Sequence, residues 1–214
     1  MESFIASLHQ IETELKKRWA FPYHWHKKQD NKSDKLSYFI YDFLYFEDLL
    51  AVAEKHLAGR QDYETMHAYT LNRWYNYWSA VAVEKILNGF HGFEPHHDQK
   101  HPTIDFYLNG VPFDHKSTVF PFKYPESQAF AEQNPTHLIH WLYEAQSQEQ
   151  RLHHENRLFL VFHDANGFHW KLKAEIILIA ETLITYVTDF NMGQLKQVAI
   201  NDGLVWSDLV WVKK

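Results

Sequence analysis

The chain has 214 residues, 45% of them hydrophobic and 17% aromatic, with 8 Trp and 16 Phe, which is enough apolar material for one domain with a substantial core. Cysteine is absent, which excludes disulfides and any cysteine-ligated zinc or iron–sulfur centre. A formal net charge of −6, with 16 histidines taken as neutral, excludes bulk positive charge as the means of holding nucleic acid, while leaving a local basic groove or bound cations open.

The N-terminus, Met1-Glu-Ser-Phe-Ile-Ala-Ser-Leu8, lacks a basic segment followed by a long apolar run, so no signal peptide is expected. No stretch approaches the roughly 18 apolar residues of a membrane span, and a soluble cytoplasmic protein is the expectation. Over residues 4–19, Phe4, Leu8, Ile11, Leu15 and Trp19 recur at helical spacing. Phe21-Pro22 ends that helix, and Lys27–Lys35 reads as a charged loop. Leu36–Phe46 is apolar on every face and does not separate strand from buried helix. Glu47–Leu57 predicts a helix stopped by Gly59, and Asn72–Asn88 a longer one ending at Gly89. A polar, histidine-rich stretch follows to Pro102, with room for a short strand.

Thr103-Ile-Asp-Phe-Tyr-Leu-Asn-Gly-Val-Pro-Phe-Asp-His-Lys116 predicts two strands joined by Asn109-Gly110, the strongest short-range signal for a type I′ hairpin. That turn puts Leu108 opposite Val111, Phe106 opposite Phe113 and Asp105 opposite Asp114. Alternation then gives an apolar face of Ile104, Phe106, Leu108, Val111 and Phe113, and a polar face of Asp105, Asp114 and Lys116. Further on, Val119–Pro125 reads as an extended connection and Thr136–Arg151 as a helix. Leu158–Phe162 reads as a central strand buried on both faces. Phe168, Trp170 and Leu172 alternate with polar residues as a paired strand would. Ala174–Phe190 predicts a helix, and Val198–Lys213, with Asn201-Asp-Gly203 inside it, a terminal hairpin. The order helix, hairpin, helix, buried strand predicts an α/β domain with a mixed β-sheet flanked by helices.

Two acids placed opposite each other on a hairpin repel. A divalent cation between them turns that repulsion into ligation, with Lys116 beside it. A third acid is expected, and Glu84 on the preceding helix is the candidate, because an ionised carboxylate among the largely apolar neighbours Tyr77, Ala80, Val81, Leu87 and Asn88 is costly unless paired or metal-bound. Glu94 is the reserve.

These residues resemble the PD-(D/E)XK nuclease superfamily, with its restriction-endonuclease-like fold. Its pattern is a helical Glu, an Asp on one strand, Asp/Glu-x-Lys on the next, then a helix and a further core strand. Glu84, Asp105, Asp114-His115-Lys116, Thr136–Arg151 and Leu158–Phe162 match in order over about residues 70–165. One departure is Pro102, three residues before Asp105 instead of adjoining it. The resemblance leaves both ends unassigned; the expected organisation is an N-terminal mainly helical extension over 1–60 and a restriction-endonuclease-like core over 61–214, together one compact domain. The resemblance implies a Mg²⁺-dependent phosphodiesterase, with Mn²⁺ as a substitute, acting on DNA and endonucleolytic by preference. Asp105 and Asp114 are then direct metal ligands, Glu84 a ligand directly or through water, and Lys116 the group that orients water or stabilises the phosphorane. Gln146, Arg73, Arg151 and Lys123 are candidate substrate contacts, with Lys27 and Lys28 as further basic residues. Sequence-specific members of the family are often dimers, so a homodimer is a further expectation.

Two other readings stand beside this one. The fold can serve as a non-catalytic module binding nucleic acid or protein. Alternatively, His24-x-His26, His96-His97-Asp98 or His153-His154 can hold zinc in a metalloenzyme with another substrate, although no helical His-x-x-x-His pair supports them. His115 projects away from Asp114 in the predicted register and is not expected as a ligand. Trp74-Tyr-Asn-Tyr-Trp78 can stack bases, but a helix packed on a sheet needs the same bulk as core.

Overall fold

The computed structural model describes residues 2–98, 101, 103–147, 155–200 and 203–214. They form two compact units, one of residues 1–83 with 173–177 and one of residues 84–172 with 178–214. Residues 61–83, grouped with the α/β core in the sequence analysis, thus fall in the helical unit.

The helical unit contains α1 (Glu2–Lys17), α2 (Asn31–Leu36), α3 (Phe46–Leu57) and most of α4 (Tyr63–Leu87). The predicted stripe of α1 is its buried face, through Leu8, Ile11 and Leu15. Leu49, Ala53 and Leu57 of α3, and Trp74 and Tyr75 of α4, are likewise buried in this unit. The pair Trp74 and Tyr75 therefore serves as core and not as a base-stacking platform. Two predictions need correction. The charged segment Lys27–Lys35 is not all loop, because Asp30 caps α2 by accepting the Ser33 N–H at 2.8 Å, which satisfies a donor the helix start would leave orphaned. Helix α4 begins at Tyr63, nine residues before the predicted Asn72, since Met66, Tyr69 and Thr70 are buried there.

The second unit holds a six-stranded sheet in the order β1-β2-β3-β4-β6-β5. Its strands are β1 (Phe93–Pro95), β2 (Phe106–Leu108), β3 (Val111–Val119), β4 (Arg157–His163), β5 (Lys196–Ile200) and β6 (Gly203–Lys213). Strands β1, β2 and β3 pair antiparallel, β4 lies parallel between β3 and β6, and β5 pairs antiparallel with β6. The helices of this unit are α5 (Gln128–Gln133), α6 (Pro135–Ser147) and most of α7 (Ile176–Asp189). A mixed sheet flanked by helices is thus the architecture. The continuous apolar run of β4 is central, with Leu158 to Phe162 each at most 1% exposed, as a strand covered on both faces requires.

The face bearing Phe159 and Val161 packs on α6 through Leu138, Ile139, Leu142 and Tyr143, together with Val205 and Leu209. Each such side chain contributes about 1.5–3 kcal/mol on burial. Arg157 and Asp114 share this face, because Asp114 pairs with Arg157 and Lys116 with Phe159 across the β3–β4 ladder. The alternating Phe168–Leu172 segment is not a strand. It forms a 3₁₀ turn over His169–Ala174, since both sides of β4 are already taken by β3 and β6. The terminal hairpin forms with Ile200 opposite Gly203. No helix among the described residues is long and apolar enough to cross a membrane.

Candidate metal centre

Both central turn residues adopt positive φ, 50° at Asn109 and 81° at Gly110, as a type I′ hairpin demands. The register follows, with Leu108 opposite Val111 and Phe106 opposite Phe113. It stops there. The Asp105 N–H donates to the carbonyl of Phe113 at 2.9 Å, the residue that already faces Phe106, so Asp105 does not sit opposite Asp114. Past the end of β2, the N–H of His115 has no strand to pair with, and a buried N–H is expensive to leave open. Asp105 answers it: Oδ2 accepts the His115 N–H at 2.7 Å and lies 3.0 Å from its Nδ1. The expected Asp105–Asp114 pairing is replaced by an Asp105–His115 pairing on the other face of β3.

Glu84, in the last full turn of α4, completes the cluster, with Oε1 3.8 Å from Nδ1 of His115. One donor atom each from Glu84, Asp105 and His115 lies within 4.8 Å of the other two. Metal–donor bonds of about 2.1 Å put neighbouring donors about 3.0 Å apart in an octahedron and about 3.4 Å in a tetrahedron. The donor set therefore approaches the spacing needed for one divalent cation, with Glu84 Oε1 having to close from 3.8 Å by at least about 0.4–0.8 Å toward His115. A further observation supports the fit. Ser117, two residues along β3 and so on the His115 face, has a buried Oγ with no hydrogen-bond partner among the described residues. An orphaned hydroxyl on the same face as such a cluster is what a bound water or substrate oxygen would satisfy.

The charges in the cluster are pushed apart. Burial raises Glu84, and the neighbouring Asp105 and Asp114 carboxylates add to that, against His115 and Lys116. Burial also opposes the Asp105 charge, but hydrogen bonds and attraction from His115 prevail and hold it at about 2. Burial disfavours the His115 cation, yet the net shift is upward, driven by Asp105 and Glu84. Opposed shifts among clustered acids and a histidine are characteristic of functional sites.

Asp114 and Lys116 lie in a different environment. Asp114 Oδ1 accepts from Lys116 Nζ at 3.0 Å, and Oδ2 from Nε of Arg157 at 3.0 Å. Arg157 is buried, with its guanidinium 5.1 Å from the centroid of the Tyr143 ring. Both Asp114 oxygens are thus engaged, and Asp114 joins no triplet of metal-donor atoms among the described residues. The group of candidate donor atoms contains His115 where Asp114 was expected, because adjacent strand residues face opposite ways. Lys116 keeps 41% of its side chain exposed, and its charge is felt at both Glu84 and Asp105.

The remaining candidates separate clearly. Arg73 is not available to a substrate. It is buried and donates to Ser37 Oγ at 2.6 Å, the Asp34 carbonyl at 2.9 Å and the Tyr41 hydroxyl at 2.8 Å, as a desolvated guanidinium must. Lys27 is held by Asp30 at 2.7 Å, whereas Lys28 and Lys123 are exposed. Glu94 is exposed on β1. Arg151, His153 and His154 lie outside the described residues, as does the side chain of Gln146. The rings of His24 and His26 stand 5.8 Å apart, those of His96 and His97 4.2 Å, and neither pair joins a metal-donor triplet among the described residues. His115 was the residue that sequence reasoning missed. The signal for it was the unpaired N–H left wherever a nine-residue β3 outruns a three-residue β2. Compared with protein-family models, with curated proteins and with solved structures, the chain matches none.

Proposed function

We propose that this chain is a divalent-metal-dependent nuclease that hydrolyses phosphodiester bonds, with DNA as the expected substrate. The observation that carries the reading is the convergence of Glu84, Asp105 and His115 donor atoms within 4.8 Å, with an unpartnered Ser117 hydroxyl on the same face of β3. The fold lends support, because α4, β1–β3, α6 and β4 follow one another in the order of the restriction-endonuclease-like core, with the candidate residues on α4, before β2 and on β3.

The chain's own groups have separable tasks. Asp105 stays anionic at neutral pH, so it offers a permanent hard ligand. Glu84 carries a charge that burial resists and therefore gains most from a cation. His115 fixes the Asp105 carboxylate through its backbone N–H. Lys116, anchored by Asp114 but half exposed, is the cation that can meet a phosphate oxygen. A bound divalent ion would lower the pKa of a water and shield the charge that builds on phosphorus.

The test is cleavage of circular and linear DNA, single- and double-stranded, with Mg²⁺, Mn²⁺ or EDTA, and Asp105→Asn run in parallel. Metal-dependent cutting that vanishes in the variant is expected, and loss of circles would mark endonucleolytic attack. Cutting in EDTA would favour the Asp105–His115 pair as a metal-free general base. Folded protein that cuts nothing under any condition would leave a non-catalytic binding module.

A further inference from the structure

We infer that Glu84, Asp105 and His115 form a mixed nitrogen–oxygen centre that selects a first-row transition ion over Mg²⁺, an inference that rests on the metal-dependent reading above. The selecting residue is His115. Mg²⁺ sheds water reluctantly and favours all-oxygen surroundings, whereas an imidazole nitrogen adds affinity that rises from Mn²⁺ to Co²⁺. The nitrogen that faces both acids is Nδ1, 3.0 Å from Asp105 Oδ2 and 3.8 Å from Glu84 Oε1. When Nδ1 takes the ion, the neutral ring carries its proton on Nε2, and the His115 backbone N–H still holds Asp105 Oδ2.

Charge balance agrees. Two carboxylates and a neutral imidazole carry two negative charges, which one divalent ion cancels. Among the described residues no lysine or arginine forms an ion pair with Glu84 or Asp105, unlike on the opposite side, where Arg157 and Lys116 serve Asp114. Other close imidazoles among the described residues are His96 with His97 and His101, at ring separations of 4.2 and 4.5 Å, and His163 with His169 at 5.0 Å. Neither group joins a triplet of converging donor atoms among the described residues, and the variants below leave both intact.

The experiment is calorimetric titration of metal-free protein with Mg²⁺, Mn²⁺ and Co²⁺, combined with pulsed electron paramagnetic resonance of the Mn²⁺ complex. Wild type, His115→Gln and Asp105→Asn are compared. One ion per chain is expected, with Mn²⁺ at least about tenfold tighter than Mg²⁺ and Co²⁺ tighter still. The Mn²⁺ spectrum should show coupling to a directly bound ¹⁴N. His115→Gln should remove that coupling and bring the Co²⁺ and Mg²⁺ affinities together, while Asp105→Asn should weaken every ion. The wild-type nitrogen signal decides the matter even if His115→Gln fails to fold. Equal affinity for Mg²⁺ and Co²⁺, a spectrum without ¹⁴N coupling, or coupling that persists in His115→Gln would overturn the inference. Nitrogen-coupled binding without DNA cleavage would keep the inference and remove the nuclease reading. Cleavage with Mg²⁺ and no nitrogen coupling would do the reverse.

Discussion

Asp114 and His115 are neighbours on one strand, yet they belong to opposite kinds of charge cluster. On the α6 face, Asp114 meets two cations, Arg157 and Lys116, and both of its oxygens are bonded. On the other face, His115 meets two acids, Asp105 and Glu84. The first cluster is closed, because every strong acceptor already has a donor. The second is open, because two carboxylates share one titratable ring. A buried closed cluster is a structural element whose rupture strands a charge. An open one is stable only with a proton or a cation in it, and that is the physical basis for reading it as a site.

The largest expected effects fall on activity. Glu84→Gln removes an acid from the open cluster and should lower cleavage by more than about 100-fold. Stability should change by less than about 1 kcal/mol, since 37% of the Glu84 side chain is exposed. Steady-state rates alongside chemical denaturation measure both, and a variant that unfolds instead would reduce the open cluster to a structural one. Lys116→Met should cut turnover by about 100-fold with the fold intact, and undiminished cleavage would remove Lys116 from the mechanism.

Arg157→Met tests the closed cluster. It strands the buried Asp114 charge and should cost about 3–5 kcal/mol. A loss below about 1 kcal/mol in urea unfolding would mean that the Asp114–Arg157 pair is not what holds this face together.

Lys173 sharpens the comparison, because it is a buried cation with no acid. Its Nζ donates to Asn76 Oδ1 at 2.9 Å, no ion pair involves it among the described residues, and burial alone pulls its pKa from 10.5 to about 8. Between these two values the unfolded chain holds a proton that the folded chain has lost, so stability should rise with pH across that window. Below pH 8 the full penalty applies. Lys173→Met should therefore gain about 2 kcal/mol at neutral pH and flatten the rise between pH 8 and 10. Parallel pH profiles for variant and wild type would show that the lysine is adequately solvated.

The smallest expected effect lies in the turn that carries both clusters. Gly110 has φ of 81° and open space where a Cβ would point, so Gly110→Ala pays only backbone strain, about 1 kcal/mol. Metal affinity at the open cluster should not change, because Asp105 is fixed by His115 and not by the turn. Weakened binding in that variant would show the two to be coupled.

Legibility differs from one element to the next. The hairpin was readable because Asn109-Gly110 demands a single backbone geometry, and β4 because a run of only five apolar residues closed by Asp164-Ala-Asn-Gly167 suits a short strand covered on both sides. Helix α2 was hidden by its charges, although Asp30 is an ordinary capping residue. The false strand at Phe168–Leu172 had the right alternation but no free side of β4 to pair with, a fact that belongs to the sheet and not to the segment. Glu84 was located by the cost of burying a carboxylate, and it does lie with Asp105. His115 was set aside by a register argument that assumed the ladder would continue past Phe106.

Local chemistry alone therefore determined the type I′ turn, the pairing of Phe106 with Phe113, the central strand, the α/β class and the candidacy of Glu84 and Asp105. These rest on constraints within a few residues, namely turn geometry, alternation and desolvation. Tertiary structure decided which acid meets which partner. The ladder ends one residue before Asp105, His115 is left with an open N–H, and Arg157 arrives from a strand 43 residues away to claim Asp114. Those outcomes depend on where strands stop and what packs beside them, and no local pattern carries that information.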